Sequence, residues 1–391
     1  MYDVVVVGGG PSGATAAEDL ARSGHKVALL DREGRIKPCG GAIPPRLIQD
    51  FDISRDQLLS EVTTARMISP TGRHVDIPIE NCFVGMVDRK DFDPFLRKRA
   101  RSAGADYKIG TFLRVERDDT TRVVYRSKSQ GEEQELVTKL VIGADGAKSR
   151  VGAAEVPGTD QVPLVFAYHE IIEAPEKTDV YDPRRCDVIY DGAISPDFFG
   201  WVFPHGDTTS VGMGTENKDI NLKKATASLR EAAGLTNCRT LRTEGAPIPL
   251  KPKNRWDNGR DVVLAGDAAG VVAPSSGEGI YYAMVGGRVA ASACSATLAT
   301  GQVKNLRLAR KLFMKDHKAV FKILGAMQGA YYRSDERRER FVSLCHDVDL
   351  QRRTFEAYMN KKLVHTGPMA HLKIRVKNLA HLWGLVAPKR V

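Results

Sequence analysis

The chain has 391 residues, of which 42% are hydrophobic and 27% charged. This length favours two or three units over one minimal domain, and the composition excludes a disordered chain. The net charge of +10 is unevenly distributed, because residues 302–391 hold 20 Lys and Arg against 7 Asp and Glu. The basic character therefore belongs to the C-terminal segment.

The apolar and cysteine patterns exclude further classes of protein. The longest apolar runs have the length of a strand, far below the ~18 residues that a membrane span needs. Six cysteines are scattered singly, with no CxxC pair and no Cys/His spacing typical of zinc. We therefore expect a reducing compartment, no disulfide framework and no metal site. We also expect no secretory leader.

The chain opens with a β-α-β unit. Residues 2–7 form an apolar strand, residues 14–22 favour a helix closed by Gly24, and residues 26–30 form a second strand. The connections have the short lengths that are usual in such units. This pattern predicts the start of a parallel sheet.

The turn between the first strand and the helix has the GxGxxG spacing at Gly8, Gly10 and Gly13, and Asp31 ends the second strand. This context is typical of dinucleotide binding. Gly8 permits the tight turn, Gly10 lets the backbone approach a pyrophosphate, and Gly13 lets helix and strand pack closely. The phosphates then lie at a helix N-terminus. Asp31 is expected to bind a ribose and to disfavour a 2′-phosphate.

The middle of the chain alternates between short strands and one helix. Residues 62–84 form short alternating runs broken by Pro and Gly, and residues 91–103 favour a helix. Residues 113–126 and 135–142 predict strands. Residues 160–215 form short strands with Pro, Gly and Asp turns, which indicate an antiparallel sheet.

The last elements are a strand at 261–265, a small-residue helix at 279–298, and only helices after Gln302. The alternation predicts an α/β protein with a Rossmann-type domain, an inserted antiparallel-sheet domain and a helical C-terminal segment. The predicted nucleotide-binding domain comprises 1–65, 86–155 and 256–300, the predicted substrate domain 66–85 and 156–255, and the basic helical segment 301–391.

Two later segments resemble the flavin signatures of the para-hydroxybenzoate hydroxylase-like flavoproteins. Residues 141–150 and 263–270 each end a strand with Asp-Gly or Gly-Asp. By this resemblance the dinucleotide is FAD, Asp267 contacts its ribityl and phosphate part, and the turn at 277–280 lies against the isoalloxazine. For Arg89, a surface salt bridge is the alternative. The predicted cofactor-binding residues are Gly8, Gly10, Gly13, Asp31, Arg32, Cys39, Gly40, Arg89, Asp145, Gly266, Asp267, Gly277, Gly279 and Ile280.

Two other segments indicate the reaction. Residues 37–45 read Lys-Pro-Cys-Gly-Gly-Ala-Ile-Pro-Pro, and residues 199–204 read Phe-Gly-Trp-Val-Phe-Pro. Together they resemble the geranylgeranyl reductase family, most closely the members that reduce the geranylgeranyl tail of chlorophyll or bacteriochlorophyll to phytyl. Residues 85–100 are more similar to the bacteriochlorophyll branch.

This resemblance implies an FAD-dependent oxidoreductase of (bacterio)chlorophyll biosynthesis. It reduces three prenyl double bonds of geranylgeranyl-(bacterio)chlorophyll or geranylgeranyl diphosphate. Since the chain has one GxGxxG turn, the reductant is expected to dock transiently, as NADPH or as reduced ferredoxin. Two alternatives remain open: an aromatic hydroxylase or halogenase of the same flavin fold, and a non-catalytic flavin or pigment-binding protein. Nucleic acid is not expected as a partner.

The predicted catalytic residues are Cys39, Trp201 and Phe203. Isolated trisubstituted alkenes carry no carbonyl to polarise them, so hydride delivery has to be coupled to protonation in a dry site. Cys39 could donate that proton, while Phe199, Trp201 and Phe203 form an apolar, π-rich wall for the substrate. The alternatives are a cysteine that only packs and aromatics that are ordinary core. His205 is a possible acid, although a structural histidine is the more common case.

The C-terminal tail predicts a contact with a membrane surface. Residues 361–391 contain seven Lys and Arg and no acidic residue. Leu372, Val376, Leu379, Trp383 and Val386 recur at helical spacing, and a basic amphipathic helix of this kind is typical of interfacial binding. We therefore expect a cytoplasmic protein associated peripherally with a photosynthetic membrane. The alternative is a terminal helix docked on its own domain.

Overall fold

The computed structural model describes residues 1–34, 36–158 and 162–361. In chain order the strands are β1 (Tyr2–Val7), β2 (Val27–Asp31), β3 (Ala42–Ile43), β4 (Ser60–Val62), β5 (Thr64–Ile68), β6 (His74–Pro78), β7 (Val84–Met86), β8 (Asp106–Arg117), β9 (Thr121–Ser127), β10 (Glu133–Gly143), β11 (Leu164–Glu173), β12 (Arg185–Ile189), β13 (Gly200–His205), β14 (Thr208–Thr215), β15 (Thr240–Pro249) and β16 (Val262–Leu264). The α-helices are α1 (Pro11–Arg22), α2 (Pro45–Asp50), α3 (Arg89–Ser102), α4 (Arg150–Glu155), α5 (Leu222–Ala232), α6 (Ile280–Thr300), α7 (Leu308–Tyr331), α8 (Asp335–Leu344) and α9 (Val348–Met359).

The chain forms two compact units, each assembled from separated stretches. The first contains Met1–Lys37, Arg89–Val165 and Pro247–Lys318, and the second contains Pro38–Asp88, Phe166–Ala246 and the described residues from Ala319 onward. The predicted boundaries differ from this division, because residues 38–65 lie with the second unit. The reason is strand pairing: β3 and β4 both pair with β7, and β5 joins the sheet of the second unit.

A parallel sheet forms the centre of the first unit. Its strands lie in the order β8, β2, β1, β10 and β16, and every neighbouring pair is parallel. β1 and β2 are almost fully buried Val, Leu and Ala runs, as is usual for strands covered on both faces. The predicted Rossmann-type sheet is confirmed.

One predicted strand is wrong. Residues 113–126 form not one strand but the arms of a hairpin, because β8 and β9 pair antiparallel and the chain turns at Asp118–Thr120. This turn contains neither Gly nor Pro, and its two aspartates, Asp118 and Asp119, were not taken as a turn signal. β9 also pairs with the first half of β10, so β8 and β10 continue beyond the parallel sheet into an antiparallel ribbon.

Helix α6 packs closely on α1 and so fixes the start of α1. A Cβ at Gly287 would lie 2.1 Å from the Ser12 carbonyl oxygen, and one at Gly286 would lie 3.1 Å from the Gly266 nitrogen. The small residues that characterise α6 therefore allow contact between helix backbones. As a result, the first turn of α1 lies against the turn that follows β16.

The second unit contains the predicted antiparallel sheet, in the strand order β15, β11, β14, β13, β12, β5, β6. One pair departs from the pattern, because β12 and β5 are parallel. One face of the sheet packs on α5 through a core that includes Val202, Val211, Met213 and Leu229. Because side chains alternate along a strand, the residues of β13 next to Val202 point to the opposite face.

The described part of the C-terminal segment is helical, as predicted. α8 begins at a Ser334 cap whose hydroxyl accepts a hydrogen bond from the Arg337 N–H, and α9 follows shortly after it. Among the described residues, no helix combines the length and the apolar character that a membrane span requires. The amphipathic helix predicted around Leu372 and Trp383 lies outside the described residues.

Candidate active site

The glycine turn of the first unit lies between β1 and α1. Gly8 has a φ of +106°, and a Cβ there would lie 2.3 Å from the Ala144 carbonyl oxygen. A Cβ at Gly13 would lie 1.8 Å from the Gly8 carbonyl oxygen, so both positions exclude any side chain. At Gly10 the nearest atom to such a Cβ is Arg89 Nη2, 3.9 Å away. This open face is where the sequence predicts a pyrophosphate.

The start of α1 offers donors that no described group uses. Gly10 caps the helix without a side-chain hydrogen bond, and the first turn has no acidic residue. The hydroxyls of Ser12 and Thr15 are buried and have no hydrogen-bond partner among the described residues. Free peptide N–H groups and the helix dipole favour an anion at this position. The residues present therefore fit the phosphates of FAD.

Asp31 lies at the end of β2 beside a guanidinium that sequence reasoning missed. Arg97 of α3 donates a hydrogen bond to the Gly9 carbonyl oxygen at 3.2 Å, and its Nη1 lies 3.6 Å from Asp31 Oδ2. Arg97 thus ties the glycine turn to the predicted ribose contact. The sequence did contain a signal for Arg97. Arg89, Asp93 and Arg97 recur every four residues and so share one face of α3. Predicted Arg32 is exposed.

Arg89 is buried, so the alternative of a surface salt bridge does not hold. Its side chain is 6% exposed, and it forms two hydrogen bonds with the Asp93 carboxylate, of 2.5 and 2.7 Å. Its Nη2 is also the group nearest to the open face at Gly10. Arg89 therefore places positive charge next to the predicted pyrophosphate position.

The loop after β10 contacts the glycine turn through its backbone. The Ala144 N–H donates to the Val7 carbonyl oxygen at 2.8 Å. The Asp145 carboxylate accepts hydrogen bonds from the Ser149 hydroxyl at 2.5 Å and from the Arg150 N–H at 2.7 Å. Burial raises the pKa of Asp145, and these hydrogen bonds oppose that shift. The carboxylate is therefore engaged in stabilising the start of α4. The part of this loop that can contact a ligand is its backbone.

Asp267 follows β16 and is almost buried, with 6% of its side chain exposed. It forms an ion pair with Lys37, for which the sequence predicted no role. Gly266 has a φ of +63°, and a Cβ there would lie 2.7 Å from Ser12 Cβ. The turn of Asp267 is thereby held against the N-terminus of α1, next to the glycine turn.

The turn before α6 lies beside Asp267. A Cβ at Gly279 would lie 3.9 Å from Asp267 Oδ1, and Gly277 has a φ of +64°. Ile280 begins α6 and is buried, at 3% exposed. Gly279 caps α6 without a side-chain hydrogen bond, while Glu278 accepts one from a backbone N–H of the first turn. This turn thus presents mainly backbone to the space beside Asp267.

In the second unit, the structure brings the Cys39 loop onto β13. A Cβ at Gly40 would lie 3.0 Å from Phe203 Cδ2, and one at Gly41 would lie 2.3 Å from His205 Nε2. The Gly41 N–H donates to Cys39 Sγ at 3.4 Å, and the thiol is free and half-buried. Two segments that lie about 160 residues apart in the sequence therefore form one surface.

Trp201, Phe203 and His205 alternate along β13 and share the face that meets this loop. The Trp201 ring centroid lies 6.4 Å from that of Phe203 and 6.3 Å from that of Phe199. Phe199 also stacks on Phe198 at 4.3 Å, so it belongs in part to an aromatic core. The predicted substrate aromatics are thus adjacent, with Phe203 the more accessible of the two β13 rings.

His205 is buried and uncharged at neutral pH. Burial lowers the pKa of its imidazole to about 4. Its Nδ1 lies 2.9 Å from the Phe203 carbonyl oxygen, so the neutral ring donates from that nitrogen. Because the ring is neutral at neutral pH and its one N–H is engaged with the Phe203 carbonyl oxygen, His205 acts as a structural histidine rather than as the acid.

A buried chain of hydrogen-bonded polar residues lies behind Trp201, and the sequence did not predict it. The Trp201 Nε1–H donates to the Ser210 hydroxyl at 3.0 Å. The Ser210 oxygen lies 2.8 Å from His169 Nδ1, and His169 Nε2 lies 2.8 Å from Glu244 Oε2. These residues come from separate strands, so no local motif marks them.

Comparison with known proteins decides among the flavoprotein families. The FAD binding domain family matches residues 52–308, and the FAD dependent oxidoreductase family matches residues 3–42. The geranylgeranyl diphosphate reductase of Rhodobacter capsulatus is 65% identical over 389 residues, which are 99% of each chain. The chain belongs to the geranylgeranyl reductase family. It is an FAD-dependent oxidoreductase.

The chain is also similar to other geranylgeranyl reductases. The chloroplastic geranylgeranyl diphosphate reductase of Oryza sativa is 37% identical, over 99% of this chain and 87% of the relative. A geranylgeranyl bacteriochlorophyll reductase-like protein of Thermoplasma acidophilum shares the fold, with a TM-score of 0.80, 24% identity and coverage of 91% and 96% of the two chains. The resemblance predicted from the Cys39 and Trp201 segments is confirmed.

The first unit of this geranylgeranyl reductase also contains a basic groove of about 620 Å³. Among the described residues, none of its five cationic side chains forms an ion pair. The one acidic lining residue, Asp257, accepts a hydrogen bond from the Gly259 N–H at 2.9 Å. The cationic residues of the groove are Arg255, Arg307, Arg310, Lys311 and Lys315.

Proposed function

We propose that this reductase hydrogenates three double bonds of a geranylgeranyl group, carried by (bacterio)chlorophyll or by a diphosphate, to give the phytyl form. The observation that carries the proposal is the 65% identity, over the whole chain, to the geranylgeranyl diphosphate reductase of Rhodobacter capsulatus. The Cys39 loop lying on the aromatic strand β13 supports it.

The first unit has the residues to hold FAD. The glycine turn and the start of α1 would receive the pyrophosphate, and Asp31 would bind the ribose of the adenosine half. Asp267 lies by the turn that precedes α6. FAD, when bound and reduced, supplies the hydride that the reaction requires. An acidic residue at position 31 favours a resident cofactor without a 2′-phosphate.

The residues of the second unit supply a proton and a dry surface. Reduction of each alkene needs a proton on one carbon and hydride on the other, and the half-buried Cys39 thiol is a source of that proton. The Gly41 N–H already donates to the sulfur and so stabilises the negative charge left behind. Trp201 and Phe203 exclude water and stabilise positive charge on the alkene through their π faces.

Mass analysis of the products tests the proposal. The reduced enzyme is incubated without oxygen with geranylgeranyl pigment and, separately, with geranylgeranyl diphosphate. A series of products gaining two, four and six hydrogens is expected with at least one of them. No hydrogenated product from either would refute the function. Cys39→Ser should slow every step more than it affects FAD content.

We propose that the reductant docks transiently, as NADPH or as reduced ferredoxin. The basic groove supports an anionic donor, because its unpaired cations attract negative charge. Anaerobic mixing of the oxidised enzyme with each donor, followed by flavin absorbance, distinguishes the two. Bleaching by only one identifies it, and bleaching by neither would overturn the proposal.

We propose that the basic C-terminal tail attaches the enzyme peripherally to a photosynthetic membrane from the cytoplasmic side. Three features support this proposal: the positive charge of the tail, the helical spacing of its apolar residues, and the hydrophobic geranylgeranyl substrate. Deleting residues 368–391 should release the protein from anionic liposomes. Sedimentation of the truncated and full chains to the same extent would contradict the proposal.

A further inference from the structure

The polar chain behind Trp201 runs across four neighbouring strands. Trp201 lies on β13, Ser210 on β14, His169 on β11 and Glu244 on β15, and each is hydrogen-bonded to the next at 2.8 to 3.0 Å. His169 is 2% exposed and Ser210 is fully buried. Such a buried chain is costly unless every member is satisfied.

The two ends of the chain fix the direction of their own hydrogen bonds. The indole of Trp201 is a donor only, so the Ser210 oxygen accepts from it. At the other end a carboxylate oxygen accepts, so His169 Nε2 donates to Glu244. Ser210 and His169 Nδ1 share the hydrogen bond between these two ends.

Charges beyond Glu244 hold this arrangement. Burial acts to raise the pKa of Glu244, but the hydrogen bond from His169 and the charge of Arg242 outweigh it and lower the pKa. Arg242 Nε lies 2.5 Å from Glu244 Oε1, and Arg242 Nη2 donates to both oxygens of Asp88 at 2.9 and 3.0 Å. An ionised Glu244 keeps the Nε2 proton of His169 in this hydrogen bond.

Close packing against Gly212 also restricts the indole. Gly212 on β14 lies opposite both Trp201 and His169 in the strand register. A Cβ there would lie 2.5 Å from Trp201 Cζ2 and 2.4 Å from His169 Cβ. The indole and the imidazole thus occupy the space that a side chain would need, and the indole has little freedom to rotate.

We propose that His169 is a positioning residue of the prenyl-binding surface, which acts through Ser210 to hold the Trp201 indole in one orientation. This inference rests on the proposed function. A geranylgeranyl chain repeats every five carbons, so a mobile wall would let neighbouring repeats bind in several registers. A fixed indole restricts the chain to the registers that present each double bond in turn.

The test compares product series across matched variants. Ser210→Ala and His169→Leu break the chain, whereas His169→Gln retains an acceptor and a donor. Thr209→Val is the control, because Thr209 is equally buried on the same strand but bonds Tyr181, away from Trp201. The readouts are KM, kcat, FAD content, thermal stability and the share of fully reduced product at equal conversion.

We expect Ser210→Ala and His169→Leu to raise KM and to lower the share of fully reduced product by about tenfold, which corresponds to about 1.4 kcal/mol. His169→Gln should restore most of that share, and Thr209→Val should leave it unchanged. A product series in Ser210→Ala that matches wild type would overturn the inference, even if His169→Leu fails to fold. If wild type itself forms no hydrogenated product, the proposed function fails instead.

Discussion

At Gly41 both backbone conformation and packing depend on the absence of a side chain. Its φ is +70°, and a Cβ would lie 2.3 Å from both His205 Nε2 and the Val87 carbonyl oxygen. The Gly41 carbonyl oxygen also accepts from the Val87 N–H at 2.9 Å. This single residue therefore sets how closely the Cys39 loop approaches β13.

Gly41→Ala should displace the Cys39 loop from β13 and lower prenyl reduction by at least about tenfold. Gly72→Ala is the matched control, because Gly72 has a φ of +79° but nothing within 4 Å of its Cβ position. Both variants carry the cost of placing an L-residue in the left-handed region, about 1 to 2 kcal/mol. Product formation per bound FAD measures the difference, and equal activity in the two variants would contradict this role of Gly41.

Because the His205 imidazole is buried, we expect the free energy of unfolding to fall in acid. Burial lowers the pKa of His205 from 6.5 to about 4, so between these values the unfolded chain binds a proton that the folded protein does not. Lowering the pH through this window therefore favours unfolding, by up to about 1.4 kcal/mol per pH unit. Asp88, His169 and Arg242 are the charged or titratable groups that act on this ring.

Urea unfolding at pH 6.5 and pH 5 measures this effect. His205→Gln should lose less stability between the two pH values than wild type does. His74→Gln, a change at an exposed histidine, should behave like wild type. The same pH dependence in all three proteins would show that His205 is not buried in its neutral form.

At the scale of elements, the contact between α1 and α6 sets the position of the flavin-binding turns. A Cβ at Gly287 would meet the Ser12 carbonyl oxygen at 2.1 Å, so even a methyl group has to push the helices apart. The start of α1, the turn of Gly266 and α6 are joined here. A shift of α6 is therefore expected to reach the cofactor.

Gly287→Ala should lower the melting temperature and the amount of FAD retained on purification. Gly329→Ala is the control, because Gly329 is also helical but has nothing within 4 Å of its Cβ position. Alanine there should be neutral or stabilising by about 0.5 to 1 kcal/mol. If both variants retain FAD equally, the helix contact does not control the site.

At the scale of the whole molecule, the first unit brings together three separate stretches of chain, all of which contain predicted FAD-binding residues. A ligand that binds only the folded state stabilises it by mass action, by about 2.7 kcal/mol at one hundred times Kd. Binding of FAD should therefore stabilise contacts that are distant in the sequence.

FAD should raise the melting temperature of the flavin-free protein by several degrees, and FMN should raise it much less. FMN lacks the adenosine half that the glycine turn and Asp31 are predicted to hold, so it would not make those contacts. Thermal scans at equal ligand concentrations measure this difference. Equal stabilisation by FMN would show that the glycine turn does not bind the adenosine half.

The sequence by itself determined what depends on neighbouring residues. The glycine turn, Asp31 and the flanking β1, α1 and β2 were predictable because the GxGxxG spacing and the apolar periodicity are local signals. The parallel sheet, the antiparallel sheet and the helices of the described C-terminal segment followed from the same kind of pattern. The turn between β8 and β9 was missed because it has no Gly or Pro and because strand-forming residues on both sides outweighed the signal of Asp118 and Asp119.

Only the tertiary structure decided which distant residues meet. Strand register places His169 and Ser210 near Trp201, His169 reaches Glu244 on β15, and the fold of the loop places Gly41 against His205. The unit boundaries also depend on which strands pair. A local pattern sets hydrogen bonding and burial along one element, but the partner of each side chain depends on register and packing across the whole sheet, which no short segment encodes.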